Sequence, residues 1–259
     1  MMAILPAPSP EPPLGPIPDP VQKPVTPRFT VVNQFKMIAV DGPAASGKST
    51  VARNLAKALS MRYINSGALY RAIAFEFHRK GVDPENTGQV ESALRGLEIE
   101  SNNTGDRYFL GSEEVTTFLW TRETAHMASI VAKVPQVREK VNDELRRLST
   151  GNDCIVEGRD IGTVVFPNAN FKVFLEASPE ERARRRKKDF EVMGAGGSLE
   201  EIGRELAERD QADSTRAVAP LRPPEGAVVC NSTGMTPQQV VDHLLALIRE
   251  IPGLAGKQP

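Results

Sequence analysis

Cysteine is scarce in this chain and so are aromatic residues: two Cys, one Trp and three Tyr occur among 259 residues, and aromatics make up 5%. Cys154 and Cys230 each sit inside an apolar, strand-like run. They read as buried free thiols in a reducing cytoplasm, not as a disulfide or a metal pair. An excess of charge of one sign is also missing, because the formal net charge is -1. That balance argues against a dedicated nucleic-acid or membrane-surface binder, although local basic patches stay open. No apolar run approaches the roughly 18 residues that a membrane span needs. The amino-terminal stretch lacks the basic start and apolar block of a secretory signal, and it carries acids that a transit peptide avoids.

That stretch, residues 1–36, is instead dominated by proline, from Pro6 through Pro27. Few backbone donors and little apolar surface predict an extended, disordered tail. It is either passive or a proline-rich ligand for a partner. Hydrophobic residues at 40% and charged ones at 25% are ordinary for a globular domain. A chain of this length buries one good core, with room for a small subdomain.

The most informative segment is Met37 to Thr50, MIAVDGPAASGKST. It reads as a buried strand, a Gly-rich turn, and a helix with Val51, Leu55 and Leu59 on one face. Gly42, four intervening residues (Pro43, Ala44, Ala45, Ser46), Gly47, Lys48 and Ser49 match the P-loop pattern, with Thr50 following. Glycines let successive N–H groups converge on a polyphosphate, and the helix terminus adds partial positive charge. In such a loop Lys48 reaches the β- and γ-phosphates, and the Ser49 hydroxyl ligates Mg²⁺. The segment predicts ATP-type nucleotide binding.

Further along, Ser66 is expected to cap a helix carrying Leu69, Ile73 and Phe77, with Tyr70 and Arg71 near its start. An arginine there opposes the helix dipole; it is either compensated by a bound phosphate or simply solvated. Leu97 to Val115 alternates around a turn-rich tip, Asn102 to Asp106, and predicts a small antiparallel hairpin unit. Two helices follow, about Thr121–Lys133 and Pro135–Leu148, with Ser129 and Arg138 near their junction. Further buried strands are expected at Asp153–Glu157, Phe171–Leu175 and Ala227–Cys230. Strands alternating with helices predict an α/β fold, a parallel sheet flanked by helices of P-loop NTPase type, with ligands outside the strands' carboxyl ends. Gly158-Arg159-Asp160 falls at that edge beside the P-loop.

The run from Pro179 to Lys188 carries acids first and bases after. It is a solvated helix, a nucleic-acid patch, or a lid hinged at Gly194–Gly197. Ser198 opens another helix with a capping box, expected to end at Glu208–Asp210 before Asp213 and Arg216. The last helix starts at Thr236-Pro237 and runs to about Glu250.

Taken together, four segments resemble the bacterial-type cytidylate kinases of the nucleoside monophosphate kinase group. They are the P-loop, Ser66 to Arg71 (SGALYR), Gly158 to Pro167 (GRDIGTVVFP) and Arg216 to Leu221 (RAVAPL). The resemblance implies transfer of the ATP γ-phosphoryl group to CMP or dCMP by a cytoplasmic monomer, with Mg²⁺ as cofactor and no nucleic-acid or membrane partner. It implies a domain over 37–252, a monophosphate-binding part over about 66–134, a lid over about 179–197 and a carboxyl tail over 253–259. Arg71, Arg159 and Arg216 are implied at the acceptor phosphate, near Ser66 and Tyr70. Arg209 and Asp213 are implied at the sugar, and Ser129, Arg138 and Asp160 at the cytosine. Lys48 and Arg159, with the lid cations Arg182, Arg185 and Arg186, are implied in charge stabilisation. Asn65, Glu157 and Asn231 stand where relatives often carry Asp, and Glu157 keeps a carboxylate for the metal's outer shell. The rival class, a regulatory GTPase, wants an Asn/Thr-Lys-x-Asp segment and an Asp-x-x-Gly switch, and the chain has neither.

Overall fold

The computed structural model describes residues 35–192 and 196–254. The proline-rich tail up to residue 34, residues 193–195 (193 and the first two of the expected hinge) and the last five residues lie outside the described residues.

A five-stranded, all-parallel sheet organises the domain. Its strands are β1 (Met37–Asp41), β2 (Arg62–Asn65), β6 (Cys154–Gly158), β7 (Phe171–Glu176) and β8 (Val228–Asn231), in the order β2-β6-β1-β7-β8. Strands covered on both faces need apolar residues pointing both ways. Ile38, Val40 and Ile155 pack into one cluster with Val51 and Leu55 of α1 (Lys48–Leu59) and Val240 and Leu244 of α8 (Pro237–Arg249). Ala39 and Val156 pack into the other, with Leu69, Ile73 and Phe77 of α2 (Ser66–Lys80) and Val137, Val141 and Leu145 of α5 (Pro135–Ser149). Alternate residues of one strand therefore serve opposite cores.

Between α2 and α5 lies the small subdomain. It consists of α3 (Thr87–Leu94), an antiparallel sheet of β3 (Ile99–Ser101), β4 (Tyr108–Leu110) and β5 (Glu113–Glu114), a 3₁₀ turn at Thr116–Phe118, and α4 (Arg122–Val131). The hairpin tip is docked: the Tyr63 N–H donates to the Asn103 carbonyl at 2.9 Å, and a Cβ at Gly105 would lie 2.5 Å from the Tyr63 ring. After β7 come α6 (Pro179–Val192) and α7 (Leu199–Thr215). The capping box expected at Ser198 is present, and the cap expected at Thr236 is also a box, each side chain accepting from the third helical N–H.

Several expectations shift. Asn65, not Ser66, caps α2: it ends β2 in extended backbone and accepts from the Ala68 N–H at 3.1 Å, leaving Ser66 as the first helical residue. Arg71 consequently falls in the second turn, where the helix dipole is weak. Helix α7 continues past Asp210 to Thr215, so Arg209 and Asp213 lie one turn apart on one face. Lys36, expected in the tail, is held by the sheet, its N–H donating to Asp153 and its carbonyl accepting from Cys154. Leu254, expected in the carboxyl tail, is buried in the α1–α8 cluster. Among the described residues no helix is long and apolar enough to cross a membrane.

Candidate active site

Between β1 and α1 the chain turns through the P-loop. Gly42 has φ +150°, and a Cβ there would sit 2.0 Å from the Leu175 carbonyl oxygen of β7, so no larger residue fits. Gly47 (φ +93°) forms the cap of α1 without a side-chain hydrogen bond, which leaves that terminus to an external acceptor. Lys48 is 4% exposed, and its Nζ donates to the Pro43 carbonyl at 2.6 Å and to Ser46 Oγ at 3.4 Å. Burial pulls its ammonium well below the usual lysine range, and the cations Arg159 and Arg209 push the same way.

Beside it, the Ser49 hydroxyl donates to Glu157 Oε1 at 2.5 Å, and the Tyr63 hydroxyl donates to the same oxygen at 2.9 Å. One hydroxyl and one buried carboxylate at a P-loop are the donor set that Mg²⁺ uses when phosphate and water supply its other ligands. These residues fit that ion. Nearby, Asp41 is fully buried and accepts from the N–H groups of Ile161 (2.8 Å) and Gly162 (2.7 Å), so it ties the end of β1 to the segment after β6. Burial raises its carboxyl to about 6 in spite of those two bonds.

The third group stands across the edge from the P-loop. Arg138 and Asp160, 5% and 8% exposed, form a buried ion pair. Arg216 lies 3.5 Å from Asp160 and 3.7 Å from Asp213, and Arg159 donates to Asp213 at 2.9 Å. Burial alone would raise the Asp213 carboxyl, but Arg159 and its neighbours hold it below the usual range. The buried Tyr70 hydroxyl has no partner among the described residues. Burial pushes it up to about 12, with Arg138 and Asp160 among the charges it feels. Arg71 donates to the Leu119 carbonyl at 3.0 Å and lies over the Trp120 ring, 4.8 Å from its centroid. Arg71 and Arg209 are each lowered to about 10, by burial first and then by other guanidinium groups: Arg209, Arg186 and Arg159 act on Arg71, and Arg159 and Arg186 on Arg209.

Four of the expected site residues make their contacts within the protein itself. The Ser129 hydroxyl donates to the His126 carbonyl of its own helix at 2.7 Å. Ser66 is buried, and a Cβ at Gly158 would lie 2.5 Å from its Oγ, so it packs against the β6 terminus. Arg182, expected as a lid cation facing the phosphates, is engaged instead by Asp210 and by the carbonyls of Ala44 (3.3 Å) and Ala177 (3.2 Å). These bonds use its Nε and Nη1 and hold the guanidinium against the loop. Arg185 likewise donates to the Ser46 and Ser232 carbonyls, at 3.0 and 2.7 Å. Arg186 is different: it stacks 4.5 Å from the Phe190 ring centroid and adds its charge to the Arg71–Arg209 group. The structure also brings in Asp41, Tyr63 and Asp210, which sequence reasoning missed. Asp41 had a signal, since a carboxylate ending a buried strand must find donors; Asp210 had none.

Two concavities lie elsewhere, one of about 400 Å³ between Phe35, Thr150 and Phe166 and one of about 200 Å³ between Phe75, Phe118 and Met127. Neither gathers the convergent ionisable groups of the carboxyl edge, so the chemistry selects that edge.

A P-loop at the carboxyl end of a central parallel strand, facing a second cluster of arginines, defines a P-loop phosphotransferase with two anionic substrates. The family model for cytidylate kinase matches residues 38–250. The cytidylate kinase of Thermotoga sp. (strain RQ2) is 44% identical over 214 residues, covering 82% of this chain and 96% of that protein. Those of Anoxybacillus flavithermus and Mycolicibacterium paratuberculosis are each 42% identical, covering 82% and 83% of this chain and 96% and 95% of theirs. The chain belongs to the cytidylate kinase family, and so to the nucleoside monophosphate kinases.

Proposed function

We propose that this chain transfers the γ-phosphoryl group of ATP to CMP or dCMP, giving ADP and CDP or dCDP. The observation that carries this reading is the convergence of Lys48, Arg71, Arg159, Arg186 and Arg209 on one edge, where neighbouring guanidinium groups add to burial in lowering the proton affinity of Lys48, Arg71 and Arg209. Such a group is electrostatically incomplete until polyanions enter.

The P-loop N–H groups and Lys48 bind the donor phosphates, with residues 42–50 lining them. Ser49 and Glu157 would hold Mg²⁺, which when bound neutralises charge on the β- and γ-phosphates. Arg71, Arg159 and Arg216 grip the acceptor phosphate, and their forked donors both neutralise and orient it. Arg209 and Asp213, one turn apart on α7, take the sugar, and Tyr70 closes the pocket wall. Asp160, held by Arg138, accepts from the cytosine 4-amino group, whereas uracil would turn a lone pair toward it. Ser129 joins the base when its hydroxyl leaves the His126 carbonyl. Ser66 supports the β6 terminus that carries Arg159. No general base is required, because the nucleophile is an anionic phosphate oxygen. Positioning and charge stabilisation by Lys48, Arg159 and Arg186 account for the rate.

In this reading 37–252 is the core of the kinase, about 66–134 the monophosphate-binding part and about 179–197 the lid, acting in a cytoplasmic monomer. The test is ADP release with CMP, dCMP, UMP and AMP. The reading expects CMP or dCMP to exceed AMP by orders of magnitude. Comparable rates on AMP and CMP would sink the cytosine assignment.

A further inference from the structure

Asp210 has no part in the reaction proposed above, yet it touches both halves of the site. It follows Arg209 on α7 and precedes Asp213 by three residues. Its Oδ1 accepts from the Ala44 N–H of the P-loop at 3.4 Å, and its Oδ2 accepts from Arg182 Nη1. That same guanidinium nitrogen donates to the Ala44 carbonyl at 3.3 Å. The Asp210–Arg182 pair therefore holds both the donor and the acceptor of one P-loop residue.

The loop needs such a hold at this point. Ala45, the next residue, has φ +58°, a left-handed conformation that strains any residue with a Cβ. A strained backbone persists only when its surroundings over-determine it. Around the pair, Ala44 packs in one apolar cluster with Ala183 and Phe190 of α6 and Ile202 and Leu206 of α7, with Ala45 against it. Polar and apolar contacts thus fix the same two residues to the same two helices.

We propose that Asp210, acting through Arg182, is a positioning residue for the ATP-binding loop, and that it fastens this loop to the helix carrying the acceptor's sugar-binding residues. The proposal deepens the kinase reading and rests on it. Loss of the carboxylate's charge and of one acceptor oxygen weakens its bonds to Arg182 and to the Ala44 N–H. The loop then samples conformations in which its N–H groups no longer converge.

The test is steady-state kinetics of Asp210→Asn with ATP and CMP varied separately, together with calorimetric binding of a non-hydrolysable ATP analogue without CMP. A charge-assisted hydrogen bond of about 1.5–3 kcal/mol predicts a roughly 10- to 150-fold rise in KM for ATP and in the analogue's Kd. KM for CMP stays within about twofold, because α7 keeps Arg209 and Asp213. Asp213→Asn, run in parallel, should raise KM for CMP instead. Arg182→Lys, which keeps a cation and a donor, should fall between wild type and Asp210→Asn, and it carries the test if that variant does not fold. A KM for ATP within twofold of wild type in the folded variant, or equal losses for both substrates, overturns the proposal. A wild-type protein inactive on CMP overturns the kinase reading instead, so the two failures are distinguishable.

Discussion

Ser49 and Glu157 share a 2.5 Å hydrogen bond across the carboxyl edge of the sheet, linking the first turn of α1 to the end of β6. The Glu157 oxygen that takes it also accepts from Tyr63, so the carboxylate is oriented from two sides. Oriented carboxylates at the rim of a metal site govern metal affinity. Glu157→Gln keeps the shape and removes the charge. It should raise the Mg²⁺ concentration for half-maximal activity by about 10- to 100-fold, and weaken Mg²⁺-dependent ATP binding measured by calorimetry. An unchanged Mg²⁺ requirement would leave Glu157 only a packing role.

Lys48 is a buried ammonium that faces a carbonyl and a hydroxyl, with guanidinium groups nearby. Removing it takes away charge aimed at the transferring phosphoryl group. Lys48→Ala should therefore lower kcat by roughly 10²- to 10³-fold, the usual cost of losing one preorganised donor. Its thermal midpoint should not fall, since burial and like charges already work against that ammonium in the folded state. Near-normal turnover by the variant would remove the P-loop mechanism.

The Arg138–Asp160 pair makes a double prediction. Truncation to Asp160→Ala strands a buried guanidinium, which costs roughly 3–5 kcal/mol of stability. Asp160→Asn is the milder probe, because it offers the base both an acceptor and a donor. It should raise KM for CMP and narrow the ratio of CMP to UMP activity. If that ratio is unmoved in the folded protein, the base is read by other groups.

Asp41 supplies a pH dependence. Its folded pKa of about 6 lies above the 3.8 of an ordinary aspartate, so the folded protein favours the protonated carboxyl. The stability this group contributes is present below about pH 4 and is lost as the pH rises through about 6, a change on the order of 3 kcal/mol for a displacement of that size. In ¹³C spectra of Asp-labelled protein, one carboxyl should titrate near pH 6 and vanish from the set in Asp41→Asn. All carboxyls titrating near 4 would contradict the buried assignment.

Much of this was legible one residue at a time. The Gly42–Ser49 spacing identified the phosphate loop, Thr236-Pro237 and Ser198 with Glu201 marked helix starts, and apolar runs marked β1, β6, β7 and β8. Strand β2 and helix α3 were not read, because each is short and α3 has only a weak apolar stripe. The end of α7 was misplaced because Asp210 to Thr215 is polar apart from Ala212 and carries no apolar stripe. Ser214 and Thr215 in fact bond back to carbonyls of their own helix, which lets a polar segment remain helical.

The linear chain on its own determined which chemical groups are present and at what local spacing: a phosphate-binding turn, arginines in recognisable motifs, and strands buried on two faces. Local spacing is enough for these because a turn or a helix cap is closed by neighbours within a few residues. Only the tertiary structure decided which charges face each other, since Arg182 meets Asp210, Ser49 meets Glu157 and Arg138 meets Asp160 across 28, 108 and 22 residues. Such pairings depend on how sheet and helices pack as a whole. That is why Arg182 and Arg186, four residues apart on one helix, end in different environments.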